Sequence, residues 1–326
     1  MPALRLFYAN VTLHWGFVVR TPGATATQPA LALAPPTTVV GAFAASLLRA
    51  LGFSEGGMSR RAVSKSKMGR KALDGEAVLS PAFWSILDST IAASMGLHLR
   101  NEGPGVGVVM EVSRILAAPY KTGGEIKRMK AEPYTLEFYM EAITRALPVQ
   151  AVGAAYAPST VVDLVWVVDV EKLVRGFSEE GVQVSDIDAV GLAAAYGVTR
   201  LGSKEGICSV NAACYIEDPP LVDASRPFQA HTYVPVECVV PRNASLVSKI
   251  RLWDLKYKPA DYYAPRDTTI MLAYPPVTEH DIPYYNLKDN CVAYRIDRIE
   301  QGKCIVTDEL KSIESVVAVG MIGEAR

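Results

Sequence analysis

The segment Ala34-Pro-Pro-Thr-Thr-Val-Val-Gly-Ala-Phe-Ala-Ala-Ser-Leu-Leu-Arg-Ala-Leu-Gly52 constrains the fold of this chain more than any other. Its double proline stops whatever precedes it, Thr37 or Thr38 is placed to cap a helix, and Gly52 closes that helix. Val40, Phe43, Ala44, Leu47, Leu48 and Leu51 fall on one face at helical spacing. A face that apolar has to be buried against a sheet. Gly41, in the first turn, weakens the helix it belongs to, which points to close approach of another group to the helix start.

Sheet material lies on both sides of this helix. Leu4–Leu13 and 15–19 are rich in β-branched and aromatic residues and read as strands. Further along, the pattern predicts a helix over 81–95, then strands near 97–100 and 108–116. A helix near 136–146, strands at 149–156 and 161–170, a helix at 185–196 and a strand at 207–216 follow. The last hundred residues are rich in Pro and Tyr with short strands, ending at 315–321. The order is that of a strand–helix–strand–strand–helix–strand sandwich with insertions, an α+β fold. A nucleotide-binding βαβ sheet fits less well because its glycine fingerprints are missing.

The 326 residues, half of them apolar, are enough for one large core or two modest ones. Residues 1–218 read as the core unit and 219–326 as a β-rich region packed on it. With a net charge of −1 there is no global basic excess, so any surface for a polyanion must be local. The five cysteines (Cys208, Cys214, Cys238, Cys291, Cys304) are odd in number and form no C-x-x-C pair. That argues against zinc and against a disulfide framework, and for a reducing compartment. The first residues lack a signal-peptide pattern, and Asp163 and Asp169 interrupt the valine run at 161–170, which is too short to cross a bilayer. These features point to a soluble, cytoplasmic protein.

Local basic character appears in three places. In Gly197-Val-Thr-Arg-Leu-Gly-Ser-Lys-Glu-Gly206 three glycines surround Arg200 and Lys204, with hydroxyls at Thr199 and Ser203. Backbone amides of such a loop can converge on an anion, although neither a Walker loop nor a dinucleotide fingerprint is present. The stretch 59–71 carries Arg60, Arg61, Lys65, Lys67, Arg70 and Lys71 with no acid, and is either a solvated loop or a contact for RNA, target DNA or a partner. The third is 114–134. Here a Gly123-Gly124 turn between Tyr120-Lys121 and Lys127–Lys130 suggests a basic hairpin projecting from the fold.

The strand pair at the N-terminus followed by Pro35-Pro-Thr-Thr-Val-Val-Gly-Ala-Phe-Ala resembles the Cas-five family of CRISPR-associated RAMP proteins. Thr199-Arg-Leu-Gly-Ser-Lys-Glu-Gly206 is similar to the glycine loop of the archaeal, type I-A branch of that family. The likeness covers 1–52 and 197–206 and leaves the C-terminal part unassigned. It implies a ferredoxin-like (RRM-like) RAMP core with a hairpin thumb. It also implies a cytoplasmic, non-catalytic subunit of the type I Cascade ribonucleoprotein in antiviral defence. Such a subunit caps the 5′ handle of the crRNA and touches the backbone and large subunits, with no cofactor.

The residues fit that role in outline. Thr37, Thr38 and Gly41 would form an anion site at a helix N-terminus. Arg200, Gly202, Ser203 and Lys204 would clamp a second stretch of RNA backbone. His14, Trp15 and Arg20 would stack on or pair with handle nucleotides, and the thumb would offer Arg114, Tyr120, Lys121, Lys127, Arg128 and Lys130. Plainer readings stay open: Trp15 as core, His14 as a surface residue, and Tyr257, Tyr262, Tyr263, Tyr284 and Tyr285 as ordinary packing or a subunit interface. The four histidines have no metal-ligand spacing, and Asp186 and Asp188 are assigned no chemistry. Two other functions remain. One is a metal-independent endoribonuclease processing precursor crRNA, using His14 or His231 with Lys204 and a tyrosine. The other is a small-molecule enzyme binding a phosphorylated ligand on the glycine loop.

Overall fold

Alternate residues of strand β1 (Leu4–Leu13) face opposite sides of a sheet, and both sides are buried. Phe7, Ala9, Val11 and Leu13 face a layer of helices, whereas Leu6 and Tyr8 face a second apolar cluster. The computed structural model describes residues 3–19, 27–28, 31–52, 81–98, 109–117, 135–136, 149–202, 206–252, 255, 270–273, 282–296, 303–306 and 316–321.

Along the chain, β1 is followed by β2 (Gly16–Phe17), β3 (Thr27–Gln28), α1 (Pro36–Ala50), α2 (Pro81–Ser89) and β4 (Thr90–Leu97). Next come β5 (Val109–Ala117), β6 (Val149–Tyr156), β7 (Val161–Asp169), α3 (Val170–Glu179), α4 (Ile187–Tyr196) and β8 (Cys208–Glu217). The remaining strands are short: β9 (Phe228–Gln229), β10 (Val234–Pro235), β11 (Val239–Pro241), β12 (Ser248–Arg251), β13 (Ile270–Ala273), β14 (Tyr284–Leu287), β15 (Cys291–Arg295), β16 (Cys304–Val306) and β17 (Val317–Met321). The central sheet runs β16-β8-β1-β7-β4, and every neighbouring pair is antiparallel. Without β16, its strands come in the chain order β1, β4, β7, β8, with α1 and α2 between the first two and α3 and α4 between the last two.

Several expectations are corrected. Neither Thr37 nor Thr38 caps α1. Pro35, in extended conformation, holds the N-cap position without a side-chain bond, and its carbonyl accepts from the amides of Thr38 and Val39. Pro36 begins the helix with φ already fixed and no N–H to satisfy, so no hydroxyl cap is needed there. The expected apolar face is real, since Val40, Phe43, Ala44, Leu47 and Leu48 are all buried and Phe43 meets Trp166 at 5.7 Å between ring centroids. The helix predicted over 81–95 stops at Ser89, and the rest is β4. The hydroxyls of Ser89 and Thr90 donate to the Ile86 carbonyl and close α2, and pairing with β7 overrides the helical leaning of Ala92 and Ala93. Helix α3 is not among the expected elements. Asp169 starts it by accepting from the Lys172 amide at 3.0 Å. Asp186 caps α4 and Asp188 pairs with Arg5 at 2.7 Å, so both acids have structural work.

The cysteine reading is also corrected. Cys214 is bonded to Cys304 and Cys238 to Cys291, and Cys208 is the buried free thiol. The partners are 90 and 53 residues apart in sequence, so no local spacing motif could show them. The β16–β8 pairing brings the first two face to face.

Between β4 and β7 the chain makes an excursion whose described part is the β5–β6 ribbon, paired from Val109↔Tyr156 to Ala117↔Val149. Beyond β8, the C-terminal strands build small sheets with their own core around Phe228, Val234, Cys238, Tyr285 and Val317. Tyr294, Ile296, Val316 and Ala318 then cover the apolar half of the central sheet, against Leu6, Tyr8, Val165 and Val167. Among the described residues, no helix is long and apolar enough to cross a membrane.

Candidate functional site at the sheet rim

Three segments singled out in the sequence meet where β1 ends. After Leu13 the chain turns through exposed His14 and half-buried Trp15 into β2, which pairs with the last residues of β6. Gly16 makes that pairing possible: its φ is +139°, and a Cβ there would lie 1.8 Å from the Ala155 carbonyl oxygen. The Trp15 and Tyr156 rings sit 5.4 Å apart at 47°. The amides of Ala157 and Ser159 donate to the carbonyls of Trp15 and Leu13, lacing the ribbon's base to the turn. Trp15 is therefore partly packing and partly accessible.

The glycine loop joins from the other side. Arg200 and Ile207 form a β-bridge, the Leu201 amide donates to the Gly206 carbonyl, and the His14 amide donates to the Ile207 carbonyl at 3.2 Å. Gly202 lies against the carbonyl of Val18. Arg200, Thr199 and Gly202 are exposed. The structure thus gathers His14, Trp15, Arg200 and Gly202 at one rim. Thr37, Thr38 and Gly41 at the start of α1 are only half-buried, and the space where a Gly41 side chain would project is open. The part of α1 that touches the loop is its other end, where Arg49 donates to the Gly197 carbonyl at 3.4 Å.

Arg114 lies on β5, where the register with β6 shifts. Arg20, Tyr120, Lys121, Lys127, Arg128, Lys130, Ser203 and Lys204 lie outside the described residues, as do Arg60, Arg61, Lys65, Lys67, Arg70 and Lys71, the Gly123-Gly124 turn and all of the helix expected near 136–146 except Leu136.

Next to the rim is a constellation that sequence reasoning missed. Asp163 of β7 is fully buried and accepts four hydrogen bonds. Tyr8 Oη (2.5 Å) and Asn10 Nδ2 (2.8 Å) donate to Oδ1. His98 Nδ1 (2.8 Å) and His231 Nε2 (2.9 Å) face Oδ2. Burial alone would raise the pKa of this carboxyl. The hydrogen bonds from His231 and His98, and the charge of those rings, more than reverse that and hold it well below the usual carboxylate range. The Tyr8 phenol is pushed well above its ordinary value by burial, by the Asp163 charge and by its bond to that carboxylate. The network runs outward to the surface. Asn211, on a bulge of β8, donates to Asn10 Oδ1 at 2.9 Å and to Thr12 Oγ1 at 2.8 Å.

His231 reaches Asp163 because its segment passes directly over Gly96 of β4. A Cβ at Gly96 would lie 2.7 Å from the His231 ring and 2.8 Å from its carbonyl oxygen. The His231 ring is nearly buried, whereas His98 keeps 23% of its side-chain surface. One signal in the sequence points here: Asp163 stands alone on an inward position of a valine strand. Its histidine partners lie 65 and 68 residues away, beyond the reach of any local pattern. Among the described residues, no group of acids, histidines and cysteines has metal-binding geometry.

No family model and no curated protein matches the sequence. Among solved structures, a crystal structure of a CRISPR protein from Archaeoglobus fulgidus overlays 97% of this chain on 99% of its own, with TM-score 0.52 and 13% identity. The chain has the fold of that CRISPR protein. A chain of a CRISPR RNA-guided surveillance complex in a pre-nicking state is similar over 68% of this chain and 80% of its own, at 8% identity and TM-score 0.31. A chain of the type III-B Cmr-beta complex bound to cognate target RNA and AMPPnP is similar over 86% of both, at 11% identity and TM-score 0.28. Overlays at these last two levels do not establish a shared fold.

Proposed function

We propose that this chain is an RNA-binding subunit of a CRISPR ribonucleoprotein of the type I Cascade kind, that it holds the 5′ handle of the crRNA, and that it does not itself cut RNA. The convergence of the ribbon base, the His14–Trp15 turn and the Arg200 loop at one rim carries this reading. A single-stranded RNA needs such a surface, with an aromatic edge for stacking, a cation for phosphate, and accessible backbone close by. Two further facts support it. The β8-β1-β7-β4 strand order fits a ferredoxin-like RNA-recognition core with two helices in each crossover instead of one, and the overlay on the Archaeoglobus protein spans 97% of this chain. In this reading the β5–β6 ribbon is the stem of the thumb, and the thumb and exposed Tyr284 face the backbone and large subunits, whereas Tyr285 is core and Tyr257, Tyr262 and Tyr263 lie outside the described residues.

Replacing Arg200 and Lys204 together by alanine should weaken binding of a labelled repeat-derived handle RNA. The slope of log affinity against log salt should become shallower by about one unit for each phosphate that is no longer neutralised. Affinity and slope both unchanged in a titration across salt would remove the loop from the RNA path.

The His98–Asp163 pair favours a second reading, metal-independent cleavage of precursor RNA. When the ring is neutral, an Nδ1–H donated to Asp163 leaves the lone pair on Nε2, the form in which an imidazole acts as general base toward a ribose 2′-hydroxyl. The first reading expects the RNA to remain intact in EDTA. A discrete cut in EDTA, abolished by His98→Ala with RNA affinity retained, would establish the second.

A further inference from the structure

The C-terminal strands grip the central sheet at both margins. Along β4, the Tyr233 amide donates to the Met95 carbonyl at 3.0 Å, Ser94 Oγ donates to the Tyr233 carbonyl at 2.6 Å, and Thr232 bridges Gly96. His231, from the same segment, holds Asp163. Along β8 the grip is β16, three residues paired as Cys304↔Cys214, Ile305↔Ala213 and Val306↔Ala212. Around that ladder, the Tyr215 amide donates to the Lys303 carbonyl at 3.0 Å and Lys303 Nζ lies 3.5 Å from Glu217. One fastening is thus polar and many-membered. The other is a minimal strand and a covalent bond.

The two disulfides differ in access. Cys238 and Cys291 are 0% and 4% exposed. In the other pair Cys214 is 1% exposed, but Cys304 is only partly buried on a marginal strand beside Ile305, which is 37% exposed. Cys304 is therefore the one bonded cysteine that is not fully buried, and the Cys238–Cys291 bond is the more shielded of the two. The remaining thiol, Cys208, is buried, and its pKa is pushed up to about 12, so it is a poor nucleophile for exchange with either bond.

We propose that Cys214–Cys304 is a redox-operated catch on the C-terminal strap, and that Cys238–Cys291 is a permanent staple within it. A dithiol reductant attacks Cys304 Sγ and displaces the Cys214 sulfur. Its second thiol then resolves the mixed disulfide. The two protein sulfurs end as thiols, having gained two electrons and two protons, and the reductant ends as a disulfide. β16 is then held without its covalent link, by three backbone pairs and the contacts of Lys303 with Tyr215 and Glu217, and its strand leaves β8.

The test treats the folded, full-length protein with dithiothreitol without denaturant, alkylates the exposed thiols, and maps them by peptide mass spectrometry. Hydrogen exchange is followed in parallel. Label should appear at Cys214 and Cys304 well before Cys238 and Cys291. Exchange of the Tyr215 amide should rise at least about tenfold, while the Cys208 amide, bonded to Thr199 on the far side of the strand end, keeps its protection. Cys304→Ser should show the same raised exchange without reductant. If that variant does not fold, the wild-type comparison still decides. Simultaneous reduction of both bonds, a first opening at Cys238–Cys291, or no reduction of the folded protein overturns the proposal. So does an unchanged Tyr215 amide after Cys214–Cys304 is cut.

Discussion

Asp163→Asn should lower the stability of the protein by about 3–5 kcal/mol, seen as a drop in melting temperature on the order of 10 °C at neutral pH. The carboxylate is fully buried and is the common acceptor for Tyr8, Asn10, His98 and His231. An asparagine amide places two N–H donors among groups that need an acceptor, leaving several buried donors unmatched. The pH dependence has a definite sign. The folded-state pKa of Asp163 is depressed, and its unfolded value is near 4, so its contribution is complete above about pH 4 and is lost as pH falls below that. Melts of wild type and variant should therefore converge in acid. Equal melting temperatures at pH 7, or a gap that widens in acid, would refute the role given to this carboxylate.

Gly16→Ala should have the largest effect of any single substitution at the rim. The backbone there is at φ +139°, and a methyl group would sit 1.8 Å from the Ala155 carbonyl oxygen. A flexible side chain could move aside, but a carbonyl in the β2–β6 pairing can do so only by giving up that pairing. A cost of about 2–3 kcal/mol follows from strain and overpacking together. The proposed function adds a second consequence. The ribbon base would detach from the His14–Trp15 turn, so handle RNA affinity should fall even at temperatures where the variant is folded. Full RNA affinity in a folded Gly16→Ala protein would show that the turn and the ribbon act independently.

Much of the fold is legible because it is written in local periodicity. Residue pattern alone predicts β1 and β6 with the bounds they have, and it names the buried face of α1 almost residue by residue. Failures come where a distant partner decides the conformation. Residues 90–95 have helical composition but lie beside β7, and sheet pairing wins. The odd cysteine count suggests free thiols, yet four sulfurs are brought together by strands far apart in sequence. The site divides the same way. Arg200 and Gly202 stand out through glycine spacing, and the structure brings them to His14 and Trp15. Asp163 announces itself only as a misplaced acid, since a single sequence does not reveal that Gly96 clears a passage for His231.

The position of β1 also determines when the protein can fold during synthesis. It comes before every other strand among the described residues, yet its neighbours begin their pairing with Leu4↔Asp169 and Arg5↔Glu217, residues 165 (169 − 4) and 212 (217 − 5) positions later. At ribosomal rates of about 5–20 residues per second, Leu4 waits roughly 8–33 s for its first partner to be synthesised. Throughout that interval β1, which ends up buried on both faces, has neither of its strand partners. The chain is therefore open to aggregation until β7 is made, and its folded yield on heterologous production should respond to translation speed.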